Sequence, residues 1–155
     1  MPTQRKPARA ESPCSATAMR KASRRLTQLY DDALGPSGLR STQFAILAEL
    51  DRRSSEPPTM RVLADALVMD RSALGHNLRP LERDKLIALD ESSEDRRRRH
   101  VVMTPRGKAK FREARRLWQS AQNRFADVFG RAQAAKLRAT LLAIAYDERL
   151  ATLRD

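Results

Sequence analysis

The sequence predicts a mainly helical fold carrying one small β-hairpin, and three observations carry that prediction. Apolar residues recur at helical spacing through most of the 155 residues. Glycine and proline cluster where the periodic stretches stop. One segment, residues 86–103, abandons the helical period for two short apolar runs around a polar, arginine-rich stretch.

Residues 1–13 hold Pro2, Pro7 and Pro13 among basic and small residues, the composition of a flexible basic arm. Ala22, Leu26, Leu29, Tyr30 and Ala33 then share one helical face, and Gly35-Pro36-Ser37-Gly38 ends that helix. Ser41 is expected to cap a second helix with Ile46, Leu47 and Leu50 inward, closed by the Ser54 to Pro58 linker. Thr59 caps a short third helix carrying Met60, Leu63, Ala64 and Leu67. Asp70 caps a fourth with Leu74, Leu78 and Leu81 on one face and Arg71, Ser72, Gly75, His76, Arg79 and Arg83 away from it. Leu86 to Leu89 and Val101 to Met103 read as the paired strands. Thr104-Pro105, a capping residue followed by proline at the first helical position, opens a long helix. On it Phe111, Ala114, Leu117, Trp118, Ala121, Phe125, Val128 and Phe129 follow the helical period as far as Gly130. A last helix with Leu137, Leu141, Ile144 and Ala145 is expected to run nearly to the end.

Two short helices joined by Val68 to Asp70, the second apolar inside and polar-basic outside, meet the requirements of a helix-turn-helix. Arg71, Ser72, His76 and Arg79 would face the major groove, with Gly75 allowing close approach of the backbone. An ordinary amphipathic surface helix would also have a polar outer face. The hairpin with Arg96-Arg97-Arg98-Arg99 at its tip favours DNA, because arginine suits the enhanced negative potential of a narrow minor groove. The fold class is therefore a winged helix-turn-helix within a helical protein.

Composition agrees. Thirty-one Lys plus Arg against 19 Asp plus Glu leave a net charge of +12, which favours an acidic polymer as partner. Residues 71–116 contain 14 bases and seven acids, and so supply +7 of that excess. A single cysteine, Cys14, excludes an intrachain disulfide and a Cys-based zinc site. The longest apolar run, Leu141 to Tyr146, is far too short to span a bilayer, so the expectation is a cytoplasmic protein without membrane contact. The basic start could also be read as a transit peptide, although a short arm leading into a helix suits it better. Scattered glycines and two separated histidines give no phosphate loop and no activated nucleophile. Neither an enzyme, a cofactor nor a metal is expected.

The span from Leu39-Arg40-Ser41-Thr42-Gln43-Phe44-Ala45-Ile46-Leu47, through Leu63-Ala64 and Leu81-Glu82-Arg83, to Asp95-Arg96-Arg97 and Met103-Thr104-Pro105-Arg106-Gly107 strongly resembles MarR-type transcriptional regulators. The resemblance covers residues 15–150. It implies a single domain over 14–155, with the winged helix-turn-helix at 41–104 and dimerisation helices at 14–38 and 105–155. It further implies a homodimer on double-stranded operator DNA, a repressor relieved by a small effector, aromatic or phenolic in class. Arg71, Ser72, Gly75, His76 and Arg79 fall on the recognition helix. Arg96, Arg97 and Arg98 fall on the wing, where Asp95 would orient the Arg97 guanidinium by a charge-assisted hydrogen bond. Gly75, where a hydroxyl is frequent, and Pro80, late in the helix, depart from the family pattern and bear on the operator sequence.

One branch of the family senses hydroperoxides through a cysteine near the start of the first helix, with tyrosine partners, which makes Cys14 and Tyr30 candidates for redox sensing. Alignment places Cys14 two residues early, a rotation of about 200° on a helix, and puts Arg20 at a tyrosine position. An incidental thiol is the alternative. Met19, Phe111 and Trp118 are candidates to line an effector pocket, or plain core. The rival from another class is a sequence-tolerant architectural protein acting through its charge alone.

Overall fold

The structure is a computed structural model, and it describes residues 13–90 and 99–151. Helix α1 (Ser15–Leu34) leads through a 3-10 turn (Gly35–Ser37) into α2 (Ser41–Arg52), α3 (Met60–Leu67) and α4 (Arg71–Arg83). Strands β1 (Ile87–Leu89) and β2 (Val101–Met103) follow, then α5 (Pro105–Phe129), α6 (Arg131–Ala145) and a short α7 (Glu148–Ala151). The strands pair antiparallel in the register Ile87 to Met103, Ala88 to Val102 and Leu89 to Val101. A bridge between Thr59 and His100 and a bond from the Val101 N–H to the Pro58 carbonyl (2.9 Å) fasten the hairpin to the entry of α3.

Three of the four capping assignments hold. Thr59 accepts from the Val62 N–H (3.3 Å), Asp70 from Ala73 (2.7 Å) and Thr104 from Gly107 (3.0 Å). The fourth is corrected: Arg40 is the N-cap of α2, and Ser41 is its first helical residue. The N-terminus of α2 is satisfied from elsewhere, since the Ser41 N–H donates to Asp31 Oδ1 of α1 (2.7 Å) and the Arg40 N–H to the Gln43 side chain (2.9 Å). Burial alone would raise Asp31, but hydrogen bonds from Ser41 and the nearby Arg40 guanidinium hold it below its ordinary value of 3.8.

The expected inner faces of α2, α3 and α4 close on one another. Ile46, Leu47, Leu63, Leu74, Leu81 and Val101 are essentially inaccessible, and each such side chain contributes roughly 1.5–3 kcal/mol by burial. The core does not stop at the expected boundary of 104/105, because Phe111 and Ala114 of α5 join the same cluster as Leu34 and Leu39. Gly107 makes this junction. A Cβ there would stand 1.9 Å from the Leu86 carbonyl oxygen, so only glycine lets α5 lie this close to the start of the hairpin.

Two helix ends carry strain that composition does not reveal. Val68 ends α3 at φ 52°, with the Met69 N–H on the Ala64 carbonyl (2.9 Å). Lys85 follows α4 at φ 58°, with its N–H on Glu82 (2.9 Å) and that of Leu86 on Leu81 (2.8 Å). Both are Schellman-type ends, where glycine is the usual residue because a Cβ is crowded in the left-handed region.

The helical end of the molecule is open by comparison. Val128 (84% exposed), Phe129, Leu142 and Ile144 lie largely in solvent, although they follow the helical period. The expected last helix is also interrupted: α6 stops at Ala145, and Tyr146-Asp147 separate it from α7. The Tyr146 hydroxyl donates to the Ala66 carbonyl at the end of α3 (2.8 Å).

Candidate nucleic-acid interface

Helix α4 is held by its leucines and presents its opposite side to solvent. Leu74, Leu78 and Leu81 are buried, whereas Arg71, Ser72, His76, Arg79 and Arg83 are exposed and Gly75 is half-buried. Ser72, His76, Arg79 and Arg83 recur at 0, 4, 7 and 11, which aligns them along one stripe. Nothing lies within 4 Å of where a Gly75 Cβ would be, so the stripe is flat at its middle and open to an approaching groove. Asn77, at the edge, returns its amide to the Ala73 carbonyl (2.8 Å). Pro80 is accommodated inside the helix, but it has no N–H to give to the His76 carbonyl.

The geometry alters the reading of the helix start. The Asp70 carboxylate accepts the Ala73 N–H and sets a negative charge against the positive end of the helix dipole. Attraction for a phosphate at that end therefore falls to Arg71, beside Asp70, together with the N–H groups of the first turn that this single cap does not engage.

Asp95, Arg96, Arg97 and Arg98 lie outside the described residues. Arg99 is described, and it is half-buried at the base of the hairpin beside the Thr59–His100 bridge, not at the tip. Its Nε is enclosed without a hydrogen-bond partner among the described residues.

The three side chains considered for an effector pocket do not converge. Phe111 and Trp118 stack on Phe44, with ring centroids 5.3 and 5.7 Å apart, and so belong to the joint between α2 and α5. Met19 instead borders an apolar groove of about 690 Å³ between α1 and α6, with Leu26, Leu137, Leu141 and Ile144. Tyr30 lines the same groove and donates to Gln122 of α5 (2.5 Å), and burial raises its phenol above the ordinary value, partly offset by Arg138. Cys14 and Tyr30 are not brought together: sixteen residues of one straight helix separate them, about 24 Å at 1.5 Å per residue. The exposed Cys14 thiol is lowered below its usual range by the Thr17 hydroxyl, then by the Thr17 and Ala16 N–H groups. Among the described residues no group of three His, Cys, Asp or Glu side chains could hold a metal ion, and no helix is long and apolar enough to cross a membrane.

A helix-turn-helix whose second helix exposes a small, polar and basic stripe, followed by a two-stranded wing and flanked by long helices, defines a winged helix-turn-helix DNA-binding protein. A comparison with protein families matches residues 37–98 to the MarR family. The transcriptional regulator MosR of M. tuberculosis, solved in complex with DNA, is 30% identical over 90% of this chain and 99% of its own, with a TM-score of 0.78. CouR of Rhodococcus jostii, a transcriptional repressor solved on a 23-mer DNA duplex, is 25% identical over 85% of this chain and 92% of its own, with a TM-score of 0.74. The S. aureus MepR–DNA complex, at 20% identity over 84% of this chain and 94% of its own, shares the fold with a TM-score of 0.69. A comparison with curated proteins returns no match. The chain belongs to the MarR family of winged helix-turn-helix transcriptional regulators.

Sequence reasoning missed a set of cations at the far end of the stripe. Arg83, Lys85, Arg106 and Lys110 surround one recess where α4, the hairpin and α5 meet. All four were counted in the basic segment, but their convergence is tertiary and no spacing rule reveals it.

Proposed function

We propose that the protein is a homodimeric repressor that reads an operator with one winged helix-turn-helix per subunit and is released by a small aromatic or phenolic effector. The observation that carries this reading is the outer face of α4, where Arg71, Ser72, His76 and Arg79 stand exposed around the half-buried Gly75, mounted on a closed leucine face. Side chains of this kind hydrogen-bond base edges and phosphates in the major groove. On this reading the minor-groove contact falls to Arg96, Arg97 and Arg98. That MosR and CouR were each solved on DNA, and that CouR is named a repressor, supports the assignment.

Dimerisation is supported by Val128, Phe129, Leu142 and Leu150, apolar side chains that one chain leaves exposed on α5, α6 and α7 outside the α1–α6 groove. The α1–α6 groove, with the polar Tyr30–Gln122 pair at its wall, suits an aromatic effector bearing one hydroxyl. Binding there biases the dimer scaffold, and hence the separation of the two recognition helices.

The test is binding to the protein's own promoter region and to unrelated DNA across a salt series. Specific recognition gives an affinity ratio of about 10³ or more, and Arg79→Ala reduces it while leaving unrelated DNA little changed. A ratio near unity with a steep salt slope would establish a sequence-tolerant architectural protein instead. Oxidation of Cys14 is a second trigger, favoured by its exposure and its lowered pKa. Loss of any peroxide response in Cys14→Ser tests it.

A further inference from the structure

The recess at the end of α4 is built differently from the recognition stripe. It encloses about 440 Å³ between the 3-10 turn after α1, the α4–β1 connection and the first two turns of α5. Four cationic side chains border it, Arg83, Lys85, Arg106 and Lys110, against one carboxylate, Asp84. Two of the cations have acidic neighbours: Arg83 Nε lies 3.1 Å from Asp84 and Lys110 Nζ 2.9 Å from Glu113. The residues that border the recess nonetheless carry a surplus of positive charge, with Lys85 and Arg106 outside the ion pairs formed among the described residues.

Two features beyond charge point to an anion. Lys85 occupies the left-handed position of the α4 Schellman end, at φ 58°, where glycine would be unstrained. That turn carries the Lys85 side chain to the border of the recess. The first turn of α5 adds a donor. Pro105 has no N–H, and Gly107 and Lys108 donate to Thr104, so helix geometry leaves the Arg106 N–H as the orphan donor of that turn, beside its own guanidinium.

We propose that this recess is a ligand site for one phosphate or carboxylate group, held by Lys85 and Arg106 and flanked by Arg83 and Lys110. An anion there bridges the C-terminal end of the recognition helix and the first turn of α5, so its binding fixes the winged part against the long helix. The same chemistry can come from a free metabolite bearing such a group or from a phosphate of the bound duplex. The site stands whether or not the repressor reading holds, because free-anion binding is measured without DNA.

The experiment uses the full chain without DNA. Sodium phosphate is titrated at constant ionic strength against chloride, followed by calorimetry and by thermal midpoint. Saturable binding at one site per chain is expected, weakened tenfold or more in Arg106→Gln. Lys85→Gly is the control for folding: relief of the left-handed strain raises the midpoint of the unliganded protein by roughly 2–4 °C, while phosphate binding is weakened. If the duplex supplies the phosphate, free phosphate does not saturate. In that case Arg106→Gln lowers the slope of log affinity against log salt by about 0.9 per protomer on specific and unrelated DNA alike. Phosphate binding unaffected by both variants, or no saturation together with an unchanged salt slope, overturns the proposal.

Discussion

The winged part, α2 through β2, and the helical part, α1 with the far half of α5 and α6, solve the same problem to different degrees. In the first, leucines of three helices and the hairpin bury one another completely within a single chain. In the second, Ala121 and Ala134 are buried, while Met19, Val128, Phe129, Leu142 and Ile144 remain in solvent. Apolar residues recur at helical spacing in both. Periodicity thus specifies which side of a helix is apolar and is silent about whether the same chain covers it. A winged unit closed with the start of α5, beside helices left half-covered, suits two copies joined through those helices.

The largest expected effects separate the two parts. Leu74→Ala removes a fully buried side chain from the winged core and should cost about 3–5 kcal/mol, read as a lowered denaturation midpoint with proportionate loss of DNA binding. Leu142→Asp places a charge on the open helical face outside the α1–α6 groove. It should leave the helical signal of each chain largely intact while converting the dimer to monomer in light scattering. A dimer that survives it would place the subunit contact elsewhere.

The junction between the parts comes next. Gly107→Ala forces a Cβ against the Leu86 carbonyl, and overpacking of this kind costs about 1–3 kcal/mol. Urea unfolding should show it, and a neutral result would mean that α5 can shift away from the hairpin at no cost. Asp31 joins the parts from the other side through Ser41 and Arg40. Because its pKa in the fold lies below 3.8, its stabilisation is complete above that value and is lost as pH falls through the lower folded value. Asp31→Asn should therefore destabilise the protein by about 1 kcal/mol at pH 7 and flatten the stability profile in the acid range. The smallest effect has the opposite sign. Val68→Gly should stabilise by about 1 kcal/mol, since valine at positive φ is strained and its side chain is 59% exposed.

Much of the winged part was legible because its determinants are local. Thr59, Asp70 and Thr104 sit immediately before the runs they cap, and the inward leucines of α4 can be counted off by threes and fours. Ser41 was misassigned because α2 is capped by a carboxylate ten residues upstream on another helix, a contact made only by the folded chain. The connection beginning at Val68 was legible, but its left-handed backbone and that of Lys85 were not, because neither residue is the glycine that marks such a turn. Within the candidate interface, the α4 stripe followed from spacing alone. The separation of Met19 from Phe111 and Trp118 did not, since helical period places side chains on one helix and says nothing of which groove each enters.

Thr104 has a mechanical consequence. Its hydroxyl reaches the carbonyls of Lys85 (2.7 Å) and Leu86 (3.1 Å) and receives the Gly107 N–H (3.0 Å), so one oxygen rivets the end of α4, the hairpin and the first turn of α5. The recognition helix cannot tilt independently of α5, and any pivot must lie further along that helix. Its 25 residues make an arm of about 38 Å. Tilting such an arm by about 5° sweeps its end through about 3 Å, close to the roughly 3.4 Å between successive base pairs. Were α4 and the start of α5 to swing together about the far end of α5, a tilt of about 5° would displace the recognition helix by about one base-pair step.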